Sequence, residues 1–214
     1  MEIKSLEQAE ELKEDVEKKV KEELGEPEAS VDAKMAKEGR TEEFMEESAL
    51  LSKLRPVTSS LEKADKHLDQ VDIQYYRKLR DKHEEKRKYS DPDSYNDEEI
   101  KRSDKIYRSL NLLIKSLEGN REKRLFPEPD LEGELEGLER EKTVSNLLLA
   151  ANKLSAASQT LKTENKHAIT EESQEKLDEL AETIEKERKE LLEKAQDAEH
   201  YLRAAQKNIE ELED

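Results

Sequence analysis

The chain contains no cysteine, no tryptophan and only two phenylalanines. Lack of cysteine removes disulfides, thiolate metal ligation and cysteine nucleophiles at once. Glycine and proline are scarce, five of each, and they gather at breaks such as Gly25-Glu26-Pro27 and Leu125-Phe126-Pro127-Glu128-Pro129 rather than inside the periodic runs. That distribution favours helices over strands. Nothing approaches the ~18 successive apolar residues of a membrane span. The opening Met1-Glu2-Ile3-Lys4-Ser5-Leu6-Glu7 has no apolar stretch of signal-peptide type. The expectation is a cytoplasmic protein with no membrane contact.

Charge is abundant instead. Charged residues make up 44% of the chain and hydrophobic ones 32%, a ratio that narrow helical seams can accommodate and a large globular core cannot. The net charge of −17 repels nucleic acid and anionic membranes from the chain as a whole. The distribution is uneven: residues 1–56 carry 10 basic against 17 acidic groups, 71–124 carry 15 against 12, and 165–214 carry 8 against 16. Acidic arms flank a mildly basic middle.

The most regular stretch is 170–214. Its seam of Leu177, Ala181, Ile184, Arg188, Leu191, Ala195, Ala198, Leu202, Ala205, Ile209 and Leu212 alternates steps of four and three from Ala181 onward. This heptad stripe demands a neighbouring helix from the same chain, a second copy or another protein. Ile184, near its middle, is the candidate partner-binding position. Arg188 interrupts the stripe; a charge there either meets a carboxylate of the partner helix or snorkels with its head in water.

Elsewhere, 2–24 reads as an acidic first helix, with Leu12, Val16, Val20 and Leu24 four apart, followed by a flexible linker over 25–40. Thr41 caps a short helix that ends before Pro56. A third helix runs over 57–88 on the seam Leu61, Ala64, Leu68, Val71, Tyr75 and Leu79. After the turn cluster 90–97, Asn96 and Glu99 form a capping box for a fourth helix with Ile106, Leu110, Leu113 and Leu117, ending near Gly119. A fifth, over 131–163, has a wide Ala- and Leu-rich face that marks the centre of the bundle, and a short connector turns the last helix back antiparallel onto it.

No phosphate-binding loop, nucleophile elbow or metalloprotease motif is present. Four histidines stand at 67, 83, 167 and 200. Glu164 with His167, and Asp197 with His200, have the i, i+3 spacing that di-iron bundles use, in a chain where such pairs arise readily by chance. A basic run, Arg77, Lys78, Arg80, Lys82, Lys86, Arg87 and Lys88, has a counterpart in Lys101, Arg102, Lys105 and Arg108 on the next helix. In a hairpin both would lie near one tip, a place for weak contact with a polyanion.

Leu54-Arg55-Pro56-Val57, then Leu68 to Leu79 with its Tyr75-Tyr76 pair, then Arg140-Glu141-Lys142-Thr143-Val144 with Leu147 to Ala151, resemble the helical domain of archaeal GINS replication subunits over about residues 50–155. The resemblance implies a non-enzymatic scaffold in a replicative helicase assembly. The family's small β-domain has no counterpart here, and the heptad helix stands in its place.

The sequence therefore predicts an all-α fold, an elongated antiparallel bundle of five to six helices with coiled-coil-like seams. Residues 1–40 form an acidic helix and flexible linker, and 41–214 form the bundle, with 170–214 as its long heptad helix. The expected function is a non-catalytic scaffold or adaptor that mediates protein–protein assembly, with a protein partner or a second copy on its helix faces and neither cofactor nor small-molecule substrate. The alternatives are a GINS-like replication accessory subunit and a di-metal four-helix-bundle enzyme.

Overall fold

A computed structural model describes residues 3–24, 41–88, 98–120, 142–163 and 169–213. Six helices occupy 93% of these, with no strand among them, so the all-α expectation holds. They are α1 (Lys4–Leu24), α2 (Thr41–Leu68), α3 (Ile73–Lys88), α4 (Glu98–Leu117), α5 (Lys142–Lys162) and α6 (Glu171–Glu213). The chain packs as two units, one from 2–66 with 150–189, the other from 67–149 with 190–214. Both α5 and α6 thus contribute residues to each.

The first unit closes over Leu54, Val57, Leu61, Leu154, Ala157, Leu161, Leu177 and Ile184. α1, the expected acidic first helix, belongs to this core. Ile3, Ala9 and Val16 are buried, and Ser5, fully buried, donates through its backbone N–H (3.2 Å) and its hydroxyl to the Glu187 carboxylate on α6. The drift of a strict spacing of four hides this face: the residues that pack inward are Ala9 and Val16, while Leu12 sits to one side. Asp15 acts electrostatically on Lys176, and Lys19 on Glu172, so α1 and α6 run antiparallel. The anticipated linker at 25–40 lies outside the described residues.

Two charged residues of α2 fasten the α5–α6 connection. Lys53 Nζ donates to the carbonyls of Leu161 (2.9 Å) and Thr163 (2.6 Å) at the C-terminal end of α5. Glu46 accepts from the Thr170 N–H (3.0 Å) and hydroxyl (2.6 Å) at the start of α6. A cation at a helix C-terminus and an anion at an N-terminus both oppose the macrodipole. Seven residues apart, the two lie on the same helical face. Thr170 itself is the N-cap, its Oγ1 accepting from Ser173 N–H at 3.3 Å.

α2 does not stop at Pro56, which lies inside it. The carbonyl that loses its donor is that of Ser52, and both residues face solvent, where water replaces the bond. Hydroxyls on either side bond back to the helix, Ser52 to Ala49 O and Thr58 to Leu54 O and Arg55 O. The break falls instead at 69–72, so the expected single helix over 57–88 is two. Asp72 Oδ1 accepts from Tyr75 N–H at 3.0 Å and starts α3 as its N-cap. The restart rotates the buried face by one position: Tyr75 is exposed (55%) while Tyr76 is buried.

In the second unit α3 and α4 form an antiparallel hairpin, with Arg77 bonded to Glu118, His83 opposite Ser103, and Lys86 to Glu99. Its core takes Tyr76, Ile106, Leu110, Leu113, Leu117, Val144, Leu147, Leu191, Ala195 and Ala198. Polar pairs cross between helices inside it: Tyr76 Oη with Thr143 Oγ1 at 2.7 Å, and Ser116 Oγ donating to Asp197 at 2.8 Å. α4 ends on Gly119 (φ 81°), with Asn120 N–H on Lys115 O and Gly119 N–H on Ser116 O, the paired bonds of a Schellman cap.

Candidate functional site

Among the described residues, one recessed surface lies between α1 and α6 in the first unit. Here Gln8, Glu11, Leu12 and Asp15 of α1 face Lys176, Glu179, Leu180, Glu182, Thr183 and Lys186 of α6 across an open groove of about 690 Å3. Residues 8, 11, 12 and 15 form a stripe with i, i+3, i+4, i+7 spacing, and 176, 179, 180 and 183 form another. Two antiparallel helices thus each turn such a stripe to one trough. The floor is apolar, with Leu180 buried and Leu12 half-buried. The lining carries four carboxylates and two ammonium groups. Of the latter, Lys176 is already paired with Glu172 at 2.8 Å, and that hydrogen bond raises its pKa and lowers that of Glu172. Glu11, Asp15 and Glu182 are exposed.

The heptad seam is not this surface. Ile184, the candidate partner-binding residue, has 0% exposure, and Leu177, Ala181, Leu191, Ala195, Ala198 and Ala205 are buried with it. Their apolar surface is covered by helices of the same chain. Towards the C-terminus Leu202, Ile209 and Leu212 are only half-buried. Arg188 meets a carboxylate of its own helix: Nε and Nη2 bond Glu185 at 3.1 and 2.6 Å. That bond raises the Arg188 pKa further and lowers that of Glu185.

The basic run forms part of the α3–α4 hairpin, as the pattern suggests, and five of the eleven basic side chains in the two runs are matched by carboxylates. Arg77 pairs with Glu118, Arg80 with Asp81 (2.7 Å), Lys86 with Glu99 (3.0 Å) and Arg108 with Asp104 (2.8 Å). Arg102 lies between Glu98 (3.8 Å) and Glu211 (3.6 Å). A polyanion would have to displace these carboxylates. Lys78, Lys82, Lys101 and Lys105 are exposed; nothing is described for the side chains of Arg87 and Lys88.

Nor do the histidines converge with acids. His200 is exposed and stacks edge-on against Tyr201, whereas Asp197, three residues before it, is buried on Ser116. His83 is buried, 3.5 Å from Ser103 Oγ, and burial, then Lys86 and Lys82, lower its pKa. Glu164 and His167 lie outside the described residues. Among the described residues no group of three or more His, Cys, Asp or Glu is placed to hold a metal ion, and no helix is long and apolar enough to cross a membrane.

No protein-family model, curated protein or solved structure matches the chain. The groove was missed in the sequence because its two stripes lie 160 residues apart and neither is conspicuously apolar.

Proposed function

We propose that the chain is a non-catalytic cytoplasmic adaptor that receives a helix of a protein partner in the groove between α1 and α6. The observation that carries this reading is the trough itself, two antiparallel helices turning matched stripes toward an apolar floor, which is the geometry of helix-in-groove recognition. The buried polar side chains support it, because Lys53, Ser116 and Tyr76 hydrogen-bond from one helix to another and so hold the fold together. With the seam around Ile184 covered, the adaptor offers its partner the groove rather than its heptad stripe.

The test is site-specific photocrosslinking in the source cells. A photoreactive residue replaces Leu12 or Thr183 in the groove, or Lys66 on the exposed surface of α2 as a control. The expected result is a discrete protein adduct from both groove positions and none from position 66. Failure of both groove positions to form an adduct, with the protein folded and expressed, would overturn the adaptor reading.

A further inference from the structure

The charge of the groove points to its occupant. We infer that the partner segment is a basic amphipathic helix, whose apolar face lies on Leu12 beside the edge of Leu180 and whose lysines or arginines meet Glu11, Asp15, Glu179 and Glu182. This rests on the adaptor reading and narrows it to one partner chemistry.

Length, floor and rim agree on that occupant. From Lys176 to Lys186 the α6 wall runs ~15 Å at 1.5 Å per residue, matching roughly three turns of a docked helix. The floor offers little apolar surface, since Leu12 is half-buried and Leu180 is only 3% exposed. Apolar contact there is too small to hold a helix alone, and the rim must contribute. The rim carries twice as many carboxylates as ammonium groups, and one ammonium, Lys176, is held by Glu172. An acidic helix would bring like charges against Glu11 and Glu182, and an uncharged one would cover them without pairing them, a cost in either case. The chain's net charge of −17 acts the same way at longer range, drawing in a cationic segment. A second copy fits less well: the exposed stripe Tyr75, Lys78 and Lys82 has suitable chemistry, but it belongs to a chain of the same strong negative charge.

The experiment uses the full chain and three labelled synthetic peptides of about 18 residues, long enough to hold helix when bound. One is a Leu/Lys amphipathic helix, one its Leu/Glu counterpart, and one has the Leu/Lys composition in an order without an apolar face. Binding is followed by fluorescence anisotropy at two salt concentrations. Two charge-reversed chains are compared: Glu11→Lys with Glu182→Lys in the groove, and Glu62→Lys with Asp69→Lys at exposed sites that do not line it, which change net charge equally. The expected result is salt-sensitive binding of the Leu/Lys helix, at least tenfold weaker for the reordered peptide and for the groove variant, unchanged within twofold for the control variant. The groove variant should gain affinity for the Leu/Glu helix.

Equal weakening by both variants would reduce the attraction to bulk charge and overturn the inference. So would equal binding of the two Leu/Lys peptides, no binding of either, or a salt-dependent dimer of the chain alone that the groove variant abolishes. The two readings fail separately. A photocrosslinked partner whose adduct maps to an acidic or uncharged segment overturns the basic-helix assignment and leaves the adaptor standing, whereas absence of groove adducts removes the adaptor itself.

Discussion

Replacing Lys53 by methionine keeps most of the aliphatic stem and removes the donors that close the C-terminus of α5. Lys53 is 7% exposed, and its two acceptors differ: the bond to Leu161 O is buried, the one to Thr163 O partly exposed. A buried carbonyl left without a donor costs ~1–3 kcal/mol. The partly exposed carbonyl recovers water and adds less than about 1 kcal/mol. Against this, the site disfavours the ammonium: desolvation lowers the Lys53 pKa below 10.5, and Asp178 offsets only part of that. The variant recovers some of that desolvation, so the expected net loss is about 2 kcal/mol, a shift of ~1 M in the urea midpoint for a slope near 2 kcal/mol/M. Urea unfolding followed by far-ultraviolet circular dichroism measures it. There is also a signature in pH. With its folded pKa lowered, the native chain binds fewer protons than the unfolded one between that pKa and 10.5, so stability rises with pH across this window. Lys53→Met should lack the rise. Unchanged or increased stability in Lys53→Met would refute the cap, and show that an apolar side chain of similar volume serves this position better than a buried charge.

Gly119→Ala should destabilise the chain by ~1–2 kcal/mol, because its φ of 81° strains an L side chain although no atom lies within 4 Å of the added Cβ; Gly119→Asn should lose less, and thermal melts rank the two. His83, its pKa lowered from 6.5 by burial and then by Lys86 and Lys82, contributes stability that is complete above pH 6.5 and is lost as pH falls through the lowered value. Chemical unfolding across pH 4–7 should show a smaller acid-side slope in His83→Leu than in the native chain, and an identical slope in the two would contradict the buried neutral imidazole.

The sequence carries the last helix almost entirely. The heptad positions Leu177, Ala181, Ile184, Leu191, Ala195, Ala198 and Ala205 are buried, while Arg188, Leu202, Ile209 and Leu212 are half-buried; the spacing alone fixes which face of a helix is apolar. It does not fix what covers that face, and so Ile184 reads equally well as a partner contact or as core. Pro56 misleads for a different reason: its cost depends on whether the orphaned carbonyl faces solvent, a property of the folded chain. The break at 69–72 was masked because Leu68 and Val71 keep the three-residue step across it, although Asp72 three residues before Tyr75 carried a cap signal. The Glu46 and Lys53 fasteners leave almost no trace in a chain with 44% charged residues, since any pair of them seven apart looks alike until the ends of α5 and α6 are known. The groove needs the same information, for its two walls come from opposite ends of the chain.

Ser5 and Glu187 are 182 residues apart in sequence, and they meet in one unit. Both units are interleaved in this way, each needing segments from early and late in the chain. During synthesis at roughly 5–20 residues per second, α1 leaves the ribosome about 10–40 s before its partner strip on α6. Over that interval Ser5 has no Glu187 to bond. The first unit cannot close until 150–189 have been made, nor the second until 190–214 have, so a ribosome stalled before residue 187 leaves α1 without the carboxylate that Ser5 binds.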